Sequence, residues 1–410
     1  MSQATEAPVA GEWARSWPVV VACALGLSVS AVAPYAMGQF MPSLEHAFGW
    51  SRAEASAGLS VGVVFGFVFG PLVGRLIDRT NARLVALPGL VFGGLGLAGL
   101  SLANGDPTQW LALWCLHAFV SILVGPTLWV AVIAGSFNKQ RSLAMAIALM
   151  GTALGATFVP MLARYLIDTY EWRAAFQLLG ACWFGAVLLI CIPLLIDRRV
   201  RGQAATEKSA LAVTPMFVIF RSPGFLRLAF VVLAGSTVIA ANIIHLAPAM
   251  VDHGFAPREA AKLAGIAGVS VIFGKLLVGS LFDRLPMGVV STGVLGVLAL
   301  ASFLLATLNG QTVLAIAACG AVGMSSGALM TFVACATARL YKAQDFGVAF
   351  GALMSMLSLG GGVGPLLAGF VHDQFGAYTV MNWGGAAVAL ISAAALFTLP
   401  STPLAERQPA

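Results

Sequence analysis

The segments "GRLIDRTNAR" (residues 74–83) and "GSLFDR" (residues 279–284) are two copies of one motif, 205 residues apart. Both copies follow an apolar run and place a glycine four residues before an Asp–Arg pair. The same shift aligns "GWSRAEA" (residues 49–55) with "GFAPREA" (residues 254–260). It also aligns a third landmark, in which Pro160 matches Pro365 and Asp168 matches Asp373. A single offset that relates three separated landmarks indicates that the chain contains two parallel copies of one unit.

The composition places both copies in a membrane. Only 9% of the 410 residues are charged and 59% are apolar, with a mean hydropathy of +0.92. A soluble domain carries about 25% charged residues. Apolar stretches close to the roughly 20 residues that a membrane-spanning helix needs recur along the chain. They predict an all-α integral membrane protein with twelve spans at residues 17–41, 54–77, 83–103, 109–136, 142–167, 173–196, 224–250, 259–282, 286–307, 311–338, 346–371 and 377–399.

The charges predict how the spans are oriented. With both termini in the cytoplasm, 16 of the 22 Lys and Arg residues fall on cytoplasmic segments, 5 fall outside and one, Lys275, lies in a membrane centre. This bias follows the positive-inside rule. The predicted organisation is an N-terminal six-helix half (residues 1–196), a basic cytoplasmic connector (residues 197–223) and a C-terminal six-helix half (residues 224–410). The basic residues then face anionic lipid, and no soluble basic domain is left to bind nucleic acid.

Two parallel six-span halves joined by such a connector resemble the major facilitator transporters along the full length of the chain. The residues that carry the resemblance are those of the repeated motif. In that superfamily the loop stabilises the outward-facing state by holding the cytoplasmic ends of the two halves together. The resemblance therefore implies a conformational gate formed by Gly74, Asp78, Arg79, Arg83, Asp283 and Arg284. A purely topogenic role for the basic residues is the alternative.

A narrower resemblance is to the monocarboxylate transporter and oxalate–formate exchanger branch. That branch has a G-x-x-D-x-x-x-R frame in span eight, whose cation meets the substrate carboxylate. Here the frame reads Gly268, Val271 and Lys275, so the cation is a lysine and the aspartate is replaced. "GPLLAGFVHDQFGAY" (residues 364–378) also resembles the eleventh span of the branch. The acidic signature of the branch at the start of span one is not found near residues 17–26.

Lys275 is the candidate substrate ligand. It lies nine residues before Arg284, about 13 Å along a helix, which is close to mid-membrane. A lysine at that depth costs about 2.5–3.5 kcal/mol on insertion scales. No Asp or Glu occupies the middle of any predicted span, so the sequence predicts that a substrate anion in the central cavity is its partner.

Polar pairs on spans that line the cavity in this superfamily are further candidates. They are Tyr35 with Gln39, His117 with Ser121, and Asn242 with His245, spaced three or four residues apart so that each pair shares a helix face. Substrate contact and packing against a neighbouring helix remain equally open for them. Lys275 and the two histidines are also candidate proton carriers, with the lysine favoured, because a desolvated lysine can lose its proton and imidazole titrates near neutral pH.

Glycine clusters in spans five, ten and eleven predict close helix approach. These glycines are Gly151, Gly155, Gly320, Gly323, Gly327 and Gly360 to Gly362.

The function predicted from these features is secondary active transport of a small organic carboxylate by alternating access, with proton symport. Carboxylate exchange, or export of an unrelated molecule, is the alternative. No phosphate-binding G-x-x-x-x-G-K-[ST] motif occurs, and the five scattered histidines do not form a catalytic cluster. An enzyme, a metal site and a cofactor are therefore not expected. The expected partners are the carboxylate, protons and lipid. The protein is expected to act as a monomer in the plasma membrane, which in bacteria is the inner membrane.

Overall fold

The computed structural model of the chain describes residues 9–137, 141–195, 216–282, 284–341 and 343–397. These residues form helices and short connections, with no strand among them. Most of the predicted connector and residue 283 fall outside the described ranges.

The N-terminal part of the described chain contains nine α-helices. They are α1 (Val9–Ser28), α2 (Val32–Phe48), α3 (Arg52–Arg79), α4 (Ala82–Gly99), α5 (Pro107–Ser121), α6 (Pro126–Ser136), α7 (Arg141–Leu149), α8 (Gly151–Leu179) and α9 (Gly185–Leu194). The path of α8 breaks at Glu171, where φ is 65° and ψ is 165°, between predicted spans five and six.

The C-terminal part contains eight α-helices. They are α10 (Met216–Arg221), α11 (Pro223–Ile244), α12 (Leu246–Asp252), α13 (Pro257–Phe282), α14 (Met287–Thr307), α15 (Thr312–Leu340), α16 (Ala343–Phe375) and α17 (Thr379–Phe397). Predicted span seven is divided into α11 and α12 by His245, whose φ of −91° and ψ of 7° are not helical.

Ten helical stretches in the described part of the chain are long and apolar enough to cross a membrane. One of them, residues 143–194, covers predicted spans five and six together. Predicted span two lies within α3, which is not among the ten. Together these account for the twelve predicted spans.

The chain forms two compact units. Unit 1 contains residues 1–33, 64–156 and 165–208, and unit 2 contains residues 34–63, 157–164 and 209–410. Unit 2 therefore includes two pieces of sequence that precede the connector: residues 34–63, from α2 and α3, and residues 157–164, from α8. The two predicted sequence halves stay a prediction, because compact units report contacts rather than repeats.

Close helix packing in unit 2 depends on glycine at the crossing of α13 with α15. A Cβ atom on Gly323 would lie 1.8 Å from the carbonyl oxygen of Ala267, and one on Gly327 would lie 2.0 Å from that of Val271. From the other side, a Cβ atom on Gly274 would lie 2.1 Å from the carbonyl oxygen of Met324. The two backbones therefore touch, as the glycine pattern predicted. Gly320 is different, since its nearest neighbour would be 3.7 Å away.

We expect Gly323→Ala to destabilise the protein strongly and Gly320→Ala to leave it unchanged. The added methyl group at residue 323 meets backbone that has no rotamer to change, and overpacking of this kind costs about 1–3 kcal/mol or more. Thermal unfolding of the purified variants, followed by tryptophan fluorescence, measures the difference. Equal unfolding temperatures for the two variants would show that α13 and α15 can move apart at residue 323 without loss of stability.

Unit 1 has a similar close approach between α1 and α8. A Cβ atom on Gly151 would lie 1.7 Å from the carbonyl oxygen of Ala24, and one on Gly155 would lie 2.5 Å from that of Ser28. The Ser28 hydroxyl in turn accepts a hydrogen bond of 3.0 Å from the indole of Trp183. Small residues therefore position α8 directly on α1, in agreement with the prediction for span five.

Candidate functional site

Lys275 lies on the turn of α13 that packs against α15. Its side chain is half-buried, and its backbone nitrogen would be 3.1 Å from a Cβ atom on Gly327. The residue before Gly327 is Ser326, which lies next to Tyr35 of α2. The first predicted polar pair therefore lies near the part of α15 that packs against α13 at Lys275.

Gln39 follows Tyr35 by one helical turn and is only 3% exposed. Its side-chain nitrogen is buried and has no hydrogen-bond acceptor among the described residues. A buried amide donor without an acceptor costs about 1–3 kcal/mol, so this position is suited to a ligand oxygen. Between these two residues, Gly38 fixes α2 against α11, because a Cβ atom there would lie 2.4 Å from the carbonyl oxygen of Ile244.

The second predicted pair lies in unit 1, between α4 and α5. His117 is 6% exposed, and its ring nitrogens lie 3.3 and 3.4 Å from the Ser121 hydroxyl. The imidazole packs edge-on against Trp114 at 5.6 Å between ring centroids, and its Nδ1 would be 3.2 Å from a Cβ atom on Gly96. In this structure His117 packs between helices, and its predicted contact with substrate stays a prediction.

The third predicted pair does not share a face. Asn242 donates a hydrogen bond of 3.2 Å to the Ser302 hydroxyl of α14. His245 instead contacts α16 and Tyr378. The reason is the helix break at His245: the rule that residues three apart share a face holds only within a continuous helix.

His245 has a hydrogen bond on each ring nitrogen and is 1% exposed. Its Nε2 lies 3.0 Å from the carbonyl oxygen of Pro365, which can only accept, so Nε2 carries a proton and donates. Its Nδ1 lies 2.7 Å from the Tyr378 hydroxyl. With its proton on Nε2, the neutral imidazole accepts at Nδ1, so the Tyr378 hydroxyl donates to it.

Arg52, the first residue of α3, is the centre of a charged network in unit 2 that we call the Arg52 network. Its Nη1 and Nη2 donate to the two carboxylate oxygens of Asp252 at 2.6 and 2.9 Å. Its Nε donates to Glu45 at 2.9 Å, and Nη1 also donates to the Tyr378 hydroxyl at 2.8 Å. A bidentate Arg–carboxylate pair of this kind is among the strongest polar contacts in proteins.

The Arg52 network also includes the start of helix α3. The two carboxylate oxygens of Asp373 accept hydrogen bonds of 3.0 and 3.1 Å from the backbone nitrogens of Arg52 and Ala53. A carboxylate in this position satisfies free N–H groups and the helix dipole. His372 places its Nε2 3.4 Å from Asp252. The network therefore joins residues of α2, α3, α12, α16 and the turn before α17.

The guanidinium of Arg52 is charged in this setting. Burial alone lowers the pKa of an arginine, but the hydrogen bond to Asp252 and the contacts with Tyr378 and Glu45 more than offset it, so the Arg52 pKa is raised. The network therefore holds one charged guanidinium among the three carboxylates of Glu45, Asp252 and Asp373.

Two further contacts join α3 to α16 below the Arg52 network. The Ser56 hydroxyl donates to the carbonyl oxygen of Pro365 at 3.3 Å, and that of Ser60 donates to Gly362 at 2.5 Å. A Cβ atom on Gly369 would lie 2.5 Å from the backbone nitrogen of Ala53. We call this contact between residues 52–63 and α16 the α3–α16 seam.

The predicted conformational gate is only partly within the described structure. Asp283 lies outside it, and so do the side chains of Asp78 and Arg79 and the surroundings of Gly74. Arg83 is exposed, and its backbone nitrogen is capped by the Asn81 side chain at 2.9 Å. Arg284 is also exposed. The conformational role of these residues stays a prediction.

An apolar cavity of about 290 Å³ lies between α11, α16 and α17 in unit 2. Thr237 supplies the one hydroxyl in its lining, so it does not suit an anion. Its lining residues are Ala234, Thr237, Val238, Ala241, Gly364, Leu367, Val371, Met381, Gly385 and Val388.

A bundle of long apolar helices with interior polar side chains and no strand among its described residues is typical of a polytopic membrane protein. The family model of the Major Facilitator Superfamily matches residues 21–334. The chain belongs to this superfamily, and it is an integral membrane transporter and not an enzyme.

Relatives and solved structures agree with this assignment. The chain is 30% identical over 316 residues to monocarboxylate transporter 11 of Mus musculus, covering 73% of this chain and 68% of that protein. It is 29% identical over 328 residues to monocarboxylate transporter 13 of Rattus norvegicus, covering 78% and 73%. These matches support the predicted monocarboxylate transporter-like branch.

Two solved structures share the fold. A bacterial homologue of the human lysosomal transporter Spinster, in an inward-facing and unoccupied conformation, matches with a TM-score of 0.74 and 17% identity over 92% of this chain and 95% of that one. The nucleoside transporter NupG matches with a TM-score of 0.74 and 14% identity over 93% and 98%. The predicted twelve-helix count is consistent with this fold.

The sequence analysis did not single out Arg52, Glu45, Asp252 or Tyr378 as functional residues. A signal was present, since Asp373 was a landmark of the repeat and "GPLLAGFVHDQFGAY" contains His372 and ends on Tyr378. What sequence could not supply was the partner, because Arg52 and Tyr378 are 326 residues apart.

Proposed function

We propose that the protein is a secondary active transporter that moves a small organic carboxylate across the membrane by alternating access, with proton symport. Lys275 receives the carboxylate, and Tyr35 and Gln39 complete the site. The observation that carries the proposal is the buried side-chain nitrogen of Gln39, which has no hydrogen-bond acceptor among the described residues.

The chemistry of this site supports an anionic substrate. Lysine and the glutamine nitrogen are donors, and a tyrosine hydroxyl can also donate. The buried nitrogen of Gln39 has no acceptor in the described structure, and a carboxylate oxygen would supply one. The relatives' name, monocarboxylate transporter, agrees with this substrate class.

The orientation follows from the charge bias of the sequence. Cytoplasmic termini place the Arg52 network and the α3–α16 seam on the external side of the membrane. The seam is formed in this structure, so the described arrangement corresponds to a carrier that is closed on that side. Residence in a plasma membrane belongs to the same proposal.

A panel experiment tests the substrate class. We expect purified protein to be stabilised against heat by small monocarboxylates and not by the matched amides, because a ligand that binds only the folded state raises its stability. Stabilisation by the amides to the same degree would contradict a carboxylate site.

Proton symport and carboxylate exchange predict different results in proteoliposomes. With no substrate inside, we expect an imposed pH gradient, acidic outside, to drive uptake of the carboxylate above its equilibrium level. Uptake that ignores the gradient but rises steeply when the lumen is preloaded with carboxylate would establish exchange instead. The same preparation with a proton ionophore is the control.

A further inference from the structure

We propose that His245 is the proton-coupling residue and that Arg52, through Tyr378, controls when His245 can hold a proton. The proposal rests on the symport function above and selects one proton route among Lys275, His117 and His245. Its basis is the chain of hydrogen bonds from Arg52 to Tyr378, from Tyr378 to His245 and from His245 to Pro365.

Each link of this chain has a fixed direction. An arginine can only donate, so the Tyr378 oxygen accepts from Nη1 of Arg52. The carbonyl of Pro365 can only accept, so Nε2 of His245 donates to it. The one remaining arrangement has the Tyr378 hydroxyl donating to Nδ1 of His245. The closed network therefore specifies a neutral histidine with its proton on Nε2.

A second proton on His245 conflicts with the closed network. Nδ1–H would point at a hydroxyl oxygen that already accepts from Arg52, and the Tyr378 proton would lose its acceptor. Only the Tyr378 hydroxyl would separate the imidazolium from the Arg52 guanidinium. The His245 side chain is 1% exposed, so water would screen the two charges little. Like charges disfavour ionisation in such a place.

The other charged groups around His245 do not remove this conflict. Asp252 on α12 and Glu45 on α2 are bound to Arg52. Asp373 on α16 caps α3 through its two oxygens. His372, also on α16, lies against Asp252 and stacks on Tyr378 at 4.7 Å between ring centroids. The nearby carboxylates are therefore already engaged with other donors.

Protonation of His245 and closure of the Arg52 network are thus mutually exclusive. When the α3–α16 seam opens, Arg52 leaves Tyr378, the hydroxyl can turn, and Nδ1 can take a proton from water. On closure the Tyr378 hydroxyl again donates its hydrogen bond to Nδ1, and the proton added to His245 is released to water. By linkage, proton binding favours the open seam to the same degree that closure disfavours the proton. In a symport cycle His245 therefore takes up its proton while the seam is open and gives it up, toward the opposite side of the membrane, as the seam closes.

The test uses the conformation rather than transport, so that its outcome is independent of the substrate. Ser56 is fully buried in the seam, and Ser56→Cys in a variant without the six native cysteines reports seam opening by its rate of maleimide labelling. Gln311→Cys, at an exposed position before α15, corrects for the pH dependence of the thiol reaction. Labelling is measured on purified protein in detergent without any carboxylate.

We expect the corrected labelling of Ser56→Cys to rise several-fold between pH 7.5 and pH 5.5. The upper limit is about 100-fold, since one site changes an equilibrium at most tenfold per pH unit. His245→Gln, which keeps a donor toward Pro365 but cannot ionise, should give a flat profile. His372→Gln should keep the rise. A rise that persists in His245→Gln, or its absence in the parent, would overturn the proposal.

A transport measurement completes the test. His245→Gln should keep carboxylate exchange between preloaded vesicles and lose the uptake driven by a pH gradient. Gradient-driven uptake that survives in this variant would also reject His245. If the parent protein binds no carboxylate but keeps its pH-dependent labelling, the proposed substrate is contradicted and the role of His245 still stands.

Discussion

Lys275→Ala is expected to reduce saturable carboxylate uptake by about 30-fold or more while the protein still folds and reaches the membrane. Removing one partner of a buried, hydrogen-bonded charge pair costs about 2–5 kcal/mol, and each 1.4 kcal/mol is tenfold in binding. Uptake of a labelled monocarboxylate into proteoliposomes, normalised to the amount of inserted protein, measures the loss. The thermal stabilisation by carboxylates should disappear in the same variant.

Two variants control this experiment. Lys262→Ala removes an exposed lysine from the same helix and should leave uptake unchanged. Lys275→Arg keeps the charge but changes its shape and donor geometry, so binding should survive in part. Full uptake by Lys275→Ala would mean that the substrate carboxylate is bound elsewhere.

Arg52→Ala is expected to open the α3–α16 seam and to slow transport strongly. Removing one partner of a buried ion pair costs about 3–5 kcal/mol. We expect about 2–3 kcal/mol here because the Asp252 and Glu45 side chains are 31% and 28% exposed. At 1.4 kcal/mol per factor of ten, that lowers the closed fraction relative to the open one by about 30- to 100-fold. Faster maleimide labelling of Ser56→Cys, together with slower uptake, is the expected measurement.

Variants of neighbouring groups distinguish a specific role of Arg52 in holding the α3–α16 seam closed from a general loss of stability. Arg52→Lys keeps one charge but lacks the fork that reaches Asp252, Glu45 and Tyr378 together, so an intermediate labelling rate is expected. Glu54→Gln alters an exposed carboxylate that caps the same helix end at 2.9 Å and should have little effect. If Arg52→Ala unfolds at the parent temperature and leaves the labelling of Ser56→Cys unchanged, Arg52 does not hold the seam closed.

The predicted polar pairs show how far a spacing rule extends. His117 and Ser121 are in contact, because α5 is continuous between them. Asn242 and His245 point to different helices, because the helix ends at Ile244. Spacing predicts a shared face only where the hydrogen-bonded helix is unbroken. The signal of the break was Pro248, which cannot donate a hydrogen bond to the carbonyl of Ile244 four residues before it.

The repeat likewise explains why the Arg52 network escaped prediction. A shift of 205 residues relates Glu54 to Glu259, but it relates Arg52 to Pro257. The arginine therefore has no copy and did not register as a landmark. Its charge could be placed at a membrane surface from the sequence, but its partners could not be identified.

The sequence by itself determined the membrane location, the all-α class and the superfamily. These follow from composition, from the length of apolar runs and from a repeated motif, all of which are local properties of the chain. The tertiary structure decided which polar groups meet. It joined Arg52 to Tyr378 across 326 residues and gave His245 its tautomer. A hydrogen bond requires its two groups to be about 3 Å apart in space, and their separation along the chain does not tell whether they are.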